Sequence, residues 1–378
     1  MKIPASFLVA GLLSVAISIS FSAEKADVPA EPGETLRTYH IGNSLTRNIP
    51  LERLQELFAA VGIEHVYGRQ LGGGLQLDQH LVKRGHPGPP GSGEYNTTEP
   101  FGEYDQALKN FKFDALILQP YHEKLDIEPV TTEKWPFFEA GSLQASAALI
   151  RYALGRTEPG DDRWDRQHAN TSHQATDRFY IYATWPQVKR ILGSEEKTYA
   201  AYWSAPYEGD VHPSREFFAQ LVDGLNERLP DLPHPVRMIP AGEVLAVLDE
   251  KIRNDELPGV EAFYERVQPY FRKARGPKSP YNPENFQRDA GVLNLYADGV
   301  HMNDQPHNGE DSGTIGSYCA AITIHATLTG KSPVGLTVEP YEMFDAEADA
   351  ELIRAIQETV WDVVAGHPHT GVPAEAEE

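Results

Sequence analysis

The stretch Leu36-Arg37-Thr38-Tyr39-His40-Ile41-Gly42-Asn43-Ser44-Leu45-Thr46 decides the fold. Its first six residues are rich in β-branched, aromatic and aliphatic side chains, which reads as a short buried strand. Gly42-Asn43-Ser44 is turn and cap chemistry. Beyond it Pro50 suits a first-turn position, Leu54, Leu57, Phe58 and Val61 recur at three- and four-residue intervals, and Gly62 ends the run. A strand, a turn and an amphipathic helix in that order are the opening unit of a parallel α/β sheet.

Working outward, four more segments read as strands: Ile63 to Gln70, Phe113 to Gln119, Arg178 to Thr184 and Pro235 to Ile239. Segments with helical spacing separate most of them, so the expected architecture is a mostly parallel sheet covered on both faces. Two helices close the chain. Ile315, Tyr318, Cys319 and Ile322 line one face of the first, which ends near Gly330; Leu352, Ile356, Val360 and Val363 line the second, which ends at Gly366. Gly85 to Gly102 is dense in Gly and Pro and reads as a loop. The length suits one large domain over residues 35–366, with insertions near 125–177, which holds a helix around Ser142 to Leu154, and near 249–287, where Ala262, Phe263, Val267, Tyr270 and Phe271 keep helical spacing. Residues 24–34 read as a flexible leader and 367–378 as a disordered tail.

Met1-Lys2, the apolar run Phe7 to Ile19 and the small residues Ser20 to Ala23 together read as a signal peptide, which implies a secreted or periplasmic protein. No later stretch reaches the roughly 20 apolar residues of a membrane span, and no stable membrane association is expected. The formal net charge of −22 repels nucleic acid and anionic surfaces alike. Cys319 is the only cysteine; its apolar surroundings make it a buried small hydrophobe, and stability must come from packing.

A serine hydroxyl is a weak nucleophile until an imidazole takes its proton, and the imidazole needs a carboxylate to hold its tautomer. Ser44 follows a strand and precedes a helix, which places it at the carboxyl edge of a parallel sheet beside first-turn backbone N–H groups. Far downstream, Tyr296-Ala297-Asp298-Gly299-Val300-His301 sets a carboxylate and an imidazole three residues apart around a glycine, so one loop can present both. Each motif alone is also ordinary turn chemistry.

In combination they resemble the SGNH, or GDSL-like, hydrolase superfamily. Strand-Gly-Asn-Ser-Leu near the start, a Gly-rich turn after the second strand, a polar amide after the third and Asp-x-x-His before the penultimate helix occur in that family's order from about Leu36 to Gly330. The resemblance implies a flavodoxin-like three-layer α/β/α fold with a five-stranded parallel sheet of order 2-1-3-4-5. It further implies ester hydrolysis through an acyl-enzyme, with Ser44 as nucleophile and Asp298 and His301 as its partners, and no cofactor or metal. The family's oxyanion hole maps to the Ser44 N–H, to Gly74 or its neighbour Gly73, and to the amide of Gln119. The last stands where the family commonly has Gly-x-Asn-Asp, just as Asn43 stands where an Asp is commonest. His80, His122 and Trp185 are candidate substrate contacts, with Glu123 beside them.

The expected partner is a small-molecule or glycan ester such as an acetylated polysaccharide; oligomeric state is not legible. Two rivals stand: a non-catalytic glycan-binding protein on the same fold, and a metal-dependent hydrolase suggested by 14 histidines, in which Asp298 and His301 would share an ion. No His-x-Glu-x-x-His motif supports the second.

Overall fold

A computed structural model describes residues 33–81, 95–121, 124–126, 140–156, 176–209, 213–275, 285–302 and 314–373. The signal-peptide reading and most of the leader fall outside them. Six strands form one sheet: β1 (Thr35–Gly42), β2 (Glu64–Leu71), β3 (Asn96–Thr97), β4 (Ala115–Leu118), β5 (Arg178–Tyr182) and β6 (Arg237–Ile239), in the order β3-β2-β1-β4-β5-β6. The five strands expected from sequence are β2-β1-β4-β5-β6, in the expected order and all parallel. The sixth, β3, is an addition: inside the stretch read as a loop, Thr97 and Asn96 pair antiparallel with Gln70 and Leu71. Two residues carry no periodicity, and the surrounding Gly and Pro conceal them.

The strand order reverses between β1 and β4. Right-handed crossovers therefore place α2 (Leu51–Ala60) on one face of the sheet and α4 (Tyr104–Asn110), α5 (Ser142–Ala153) and α8 (Arg215–Arg228) on the other. Short helices lie at the strand ends: α1 (Ser44–Arg47), α3 (Leu77–Leu81), α6 (Val188–Gly193) and α7 (Tyr199–Ser204). The helices α9 (Ala241–Arg253), α10 (Val260–Arg275), α11 (Ile315–Thr329) and α12 (Ala350–Gly366) complete the chain, α11 packing on α2, α9 and α12.

Local chemistry explains the boundaries. Pro50 is the N-cap of α2 rather than its first residue, and Gly62 follows the helix with φ of +80°. α11 departs from the one-sided helix read in the sequence, because every residue from Ile315 to Thr329 is buried. Enclosed by three helices and touching β6, it has no solvent face, which is why its apolar positions do not fall on one stripe. Residues 367–373, expected in a disordered tail, lie against the sheet, where Met238 N–H donates to His369 O at 2.8 Å. No helix among the described residues is long and apolar enough to cross a membrane.

Candidate active site

β1 ends in a turn too tight for any residue but glycine at position 42. A Cβ on Gly42 would lie 2.5 Å from Thr46 Oγ1 and 2.8 Å from the Gln119 side chain, so the strand end and β4 can approach only at glycine. Asn43 then caps α1: its side-chain oxygen accepts from Leu45 N at 2.9 Å while its Nδ2 donates to Leu75 O at 3.0 Å. Ser44, half-buried, is the first residue of that helix. Its backbone N–H has no acceptor among the described residues, as expected in a first helical turn.

Gln119 sits directly behind this turn and is buried. Its Oε1 accepts from Asn43 N at 2.9 Å and from Thr46 Oγ1 at 3.3 Å, while Nε2 donates to Pro120 O at 2.7 Å. A backbone N–H at one end and a carbonyl at the other fix which way the amide points. The structure thus brings Gln119 to Ser44, with its carbonyl holding the Ser44 turn and one of its two N–H bonds engaged elsewhere.

The glycine turn lies alongside. Gly72 N donates to Gly42 O at 3.0 Å, Leu75 N closes the turn on Gly72 O at 3.0 Å, and Gly74 adopts φ of +70° with nothing within 4 Å of a notional Cβ. The Gly74 N–H, like that of Ser44, has no acceptor among the described residues. Gly73, in the same turn, is half-buried.

The carboxylate and imidazole come from the far end of the chain. A 3-10 segment, Arg288–Leu295, is fastened to α9 by the buried Asp249 carboxylate, which accepts from Val292 N at 2.9 Å and from Arg253 Nε at 2.9 Å. The loop that follows folds on itself. Asp298 Oδ1 accepts from the N–H groups of Val300 and His301, both at 2.7 Å, and Oδ2 lies 2.8 Å from His301 Nδ1. Burial alone would raise the Asp298 carboxyl. The hydrogen bond and charge of His301, with the two backbone donors, outweigh it and hold the group well below the ordinary carboxylate range. With Nδ1 engaged, His301 Nε2 is left enclosed and without a partner.

Two sets of contacts aim this loop. From the β5 end, Val188 N donates to Gly299 O at 3.0 Å, Trp185 Nε1 to Val300 O at 2.8 Å, and the Tyr296 hydroxyl to Pro186 O at 2.7 Å. From the β1 end, the buried Asn48 spans the gap: its Nδ2 donates to Ser44 O at 2.8 Å and its Oδ1 accepts from Met302 N at 2.8 Å. One side-chain amide therefore separates the backbone of Ser44 from that of the residue after His301. The sequence reading missed Asn48. Its signal was the Ser-x-x-x-Asn spacing, one helical turn after the serine, which any surface helix can also show.

Comparison with solved structures finds remote likenesses. A protein of the DUF4886 family from Bacteroides uniformis superposes with a TM-score of 0.46 at 17% identity, covering 89% of this chain and 96% of that one. BT4096, a gut microbial diltiazem-metabolizing enzyme, superposes with a TM-score of 0.34 at 10% identity, covering 80% of this chain and 48% of that one. No family model matches, and no curated protein does.

The remaining candidates fare differently. His80 is fully enclosed rather than open to a cleft; Gln70 Nε2 lies 3.0 Å from its Nδ1, its ring stacks on Tyr95, and burial pushes it down to about 4. Trp185 is 2% exposed and braces the His301 loop, so its accessible surface is too small for a substrate wall. His122 and Glu123 lie outside the described residues. Cys319 is buried, and that burial pushes its thiol far up, away from thiolate chemistry. The chain does contain one His-x-His pair, His367-Pro368-His369, which the sequence reading passed over. His369 Nε2 pairs with Asp223 at 3.0 Å, and no group of three ligand-type residues converges there or elsewhere among the described residues. A cavity of about 830 Å³ beside α6 and α7 includes neither Ser44 nor His301.

Proposed function

We propose that this protein is a serine ester hydrolase of the SGNH type. Ser44 is the nucleophile, His301 its general base and Asp298 the residue that orients the imidazole. The reading is carried by one observation: the His301–Asp298 pair, with Nε2 enclosed and unpartnered, is held to the Ser44 turn through the two hydrogen bonds of Asn48.

The chemistry follows from those positions. His301 Nε2 accepts the Ser44 proton as Oγ bonds to the ester carbonyl carbon, and the imidazolium is stabilised by the ionised Asp298. The carbonyl oxygen gains charge as its π bond opens, and the N–H groups of Ser44 and Gly74, which have no acceptor among the described residues, receive it. The tetrahedral adduct expels the alcohol, which takes the proton from His301. Water then attacks the acyl-enzyme by the same route and releases the acid. Gln119 enters chiefly by fixing Asn43 and Thr46; its second N–H is the one oxyanion contribution open to it. The net charge of −22 argues against anionic surfaces, and an exported ester such as an acetylated glycan is the substrate class favoured.

Turnover of a neutral aryl acetate by the parent protein and by Ser44→Ala tests the reading. Loss of kcat on the order of 10⁴-fold or more is expected. Equal turnover by the variant would remove Ser44 as nucleophile. Absence of turnover by the parent on a panel of acyl esters, with retained binding to glycans, would favour the non-catalytic rival on the same fold.

A further inference from the structure

A pair of guanidinium groups stands beside the nucleophile turn without enough counter-charge. Arg47 is the last residue of α1, three positions after Ser44, and residues at that spacing share a helix face. The two residues between them, Leu45 and Thr46, are buried, whereas Arg47 is exposed. Its backbone N–H donates to Asn43 O at 3.2 Å, and its side chain makes no hydrogen bond or ion pair among the described residues. Arg69 approaches from β2, three residues before the glycine turn that flanks Ser44.

Arg69 has one acidic partner, Glu52, at 3.3 Å, and that carboxylate oxygen also accepts from the Tyr67 hydroxyl at 2.7 Å. The Arg69 Nε is enclosed with no acceptor among the described residues. Among the described residues one exposed carboxylate therefore pairs with Arg69, none pairs with Arg47, and a buried donor of Arg69 is left over. Desolvation and the nearby charge of Arg69 both work against the protonated form of Arg47. In a chain of net charge −22 carboxylates to neutralise such a pair are plentiful, yet among the described residues only Glu52 pairs with either guanidinium. An uncompensated, partly desolvated cation pair with an orphan N–H at the lip of a reaction site is an arrangement that a bound anion completes.

We propose that Arg47 and Arg69 form an anion subsite, and that the substrate is an ester bearing a carboxylate or a comparable anionic group near the scissile bond. The inference rests on the esterase reading of Ser44 and names the substrate class of that same site. Guanidinium groups suit carboxylates because their paired N–H bonds match two oxygens at once. The subsite gives selectivity and not chemistry: it orients an ester whose carbonyl is worked on by Ser44 and His301.

The test compares kcat/KM for matched esters that differ only in charge. One pair is an acetylated methyl glucuronide and its uronate methyl ester, which puts the anion on the alcohol side; the other is 4-nitrophenyl hemiglutarate and 4-nitrophenyl methyl glutarate, which puts it on the acyl side. The parent is expected to favour the anionic member of at least one pair, and Arg47→Gln to lower that anionic-to-neutral ratio on the order of 10-fold. Arg69→Gln should lower it too, and added salt should shrink the parent's preference by screening. A parent ratio at or below one for both pairs would overturn the subsite, as would a ratio that neither variant changes. Ser44-dependent hydrolysis of the neutral esters keeps these outcomes separate from failure of the esterase reading, which would remove turnover of every ester in the panel.

Discussion

Acid should unfold this protein through its buried imidazoles. Thr38 Oγ1 lies 3.0 Å from His40 Nε2 and 2.9 Å from His65 Nε2, and the Phe58 ring sits between His65 and His325, with centroids 4.7 and 5.0 Å away. These three histidines are at most 2% exposed, and His80 is fully buried on the opposite side of the turn. No carboxylate pairs with any of the four among their described hydrogen bonds. Burial pushes His40 and His65 down to about 3, with His65 and Arg69 adding to the effect on His40 and His325 to that on His65; it pushes His325 and His80 down to about 4. In the unfolded chain each imidazole takes up its proton near pH 6.5, whereas in the folded chain it resists until pH 3–4. Above pH 6.5 both states are neutral and nothing is gained or lost. Below it the unfolded state binds more protons, so stability falls as pH falls, by roughly 1.4 kcal/mol per pH unit for each imidazole. Four of them acting together would remove most of a typical domain's 5–15 kcal/mol by about pH 5. Urea unfolding followed by circular dichroism at pH 7.5, 6.5, 5.5 and 5.0 should show the midpoint collapsing over the last three. In His325→Leu, which leaves an apolar side chain in an all-buried helix, the slope of stability against pH should drop by about one imidazole's share. A midpoint that is flat from pH 7.5 to 5.0, or a slope that His325→Leu leaves unchanged, would refute the argument.

Two further perturbations probe the site. Asn48→Asp keeps an acceptor for Met302 N but sets a carboxylate against Ser44 O in place of a donor; a loss of about 1–3 kcal/mol in transition-state stabilisation is expected, read as a 10- to 100-fold fall in kcat for an aryl acetate at nearly constant KM. A kcat within twofold of the parent would show that Asn48 does not couple the two loops. Gly42→Ala forces a methyl against Thr46 and Gln119 and should lower stability by about 1–3 kcal/mol in urea unfolding, more than Gly74→Ala, where only the left-handed backbone is strained. Equal losses in the two variants would contradict the packing account.

The strands were legible because each is short, apolar and bounded by turn residues, and the helices α2, α5, α10 and α12 because their apolar positions recur at helical spacing. What escaped did so for physical reasons. β3 is two residues long and depends on its neighbour β2 for existence, so no local signal can announce it. α11 is buried all round, and a helix without a polar face has no moment to read. At the site, the residue types Ser44, Asp298 and His301 were legible from their motifs, whereas the direction of a side-chain amide was not. Gln119 looked like a donor aimed at substrate because an amide has both polarities. Only the position of Asn43 N and Pro120 O, one behind the turn and one beside it, decides which end faces where.

That division of polar groups is the strongest structural reason for treating this edge of the sheet as a reaction site. Asn43, Thr46, Gln119, Asn48 and Asp298 all have protein partners, and each bond fixes a turn or a loop. Among the described residues the groups left without a partner at this edge are the Ser44 N–H, the Gly74 N–H and His301 Nε2: two donors and one base. Of these groups Gly74 is exposed and Ser44 half-buried, so the weight falls on His301 Nε2, which is enclosed and which a purely structural edge would pair. Acyl transfer needs them held still and unsatisfied until charge develops on the carbonyl oxygen and a proton leaves the serine, because donors oriented beforehand need no reorganisation in the transition state. Arg47 and Arg69 extend the same logic outward. On the anion-subsite proposal, their charge is matched when a substrate brings the anion.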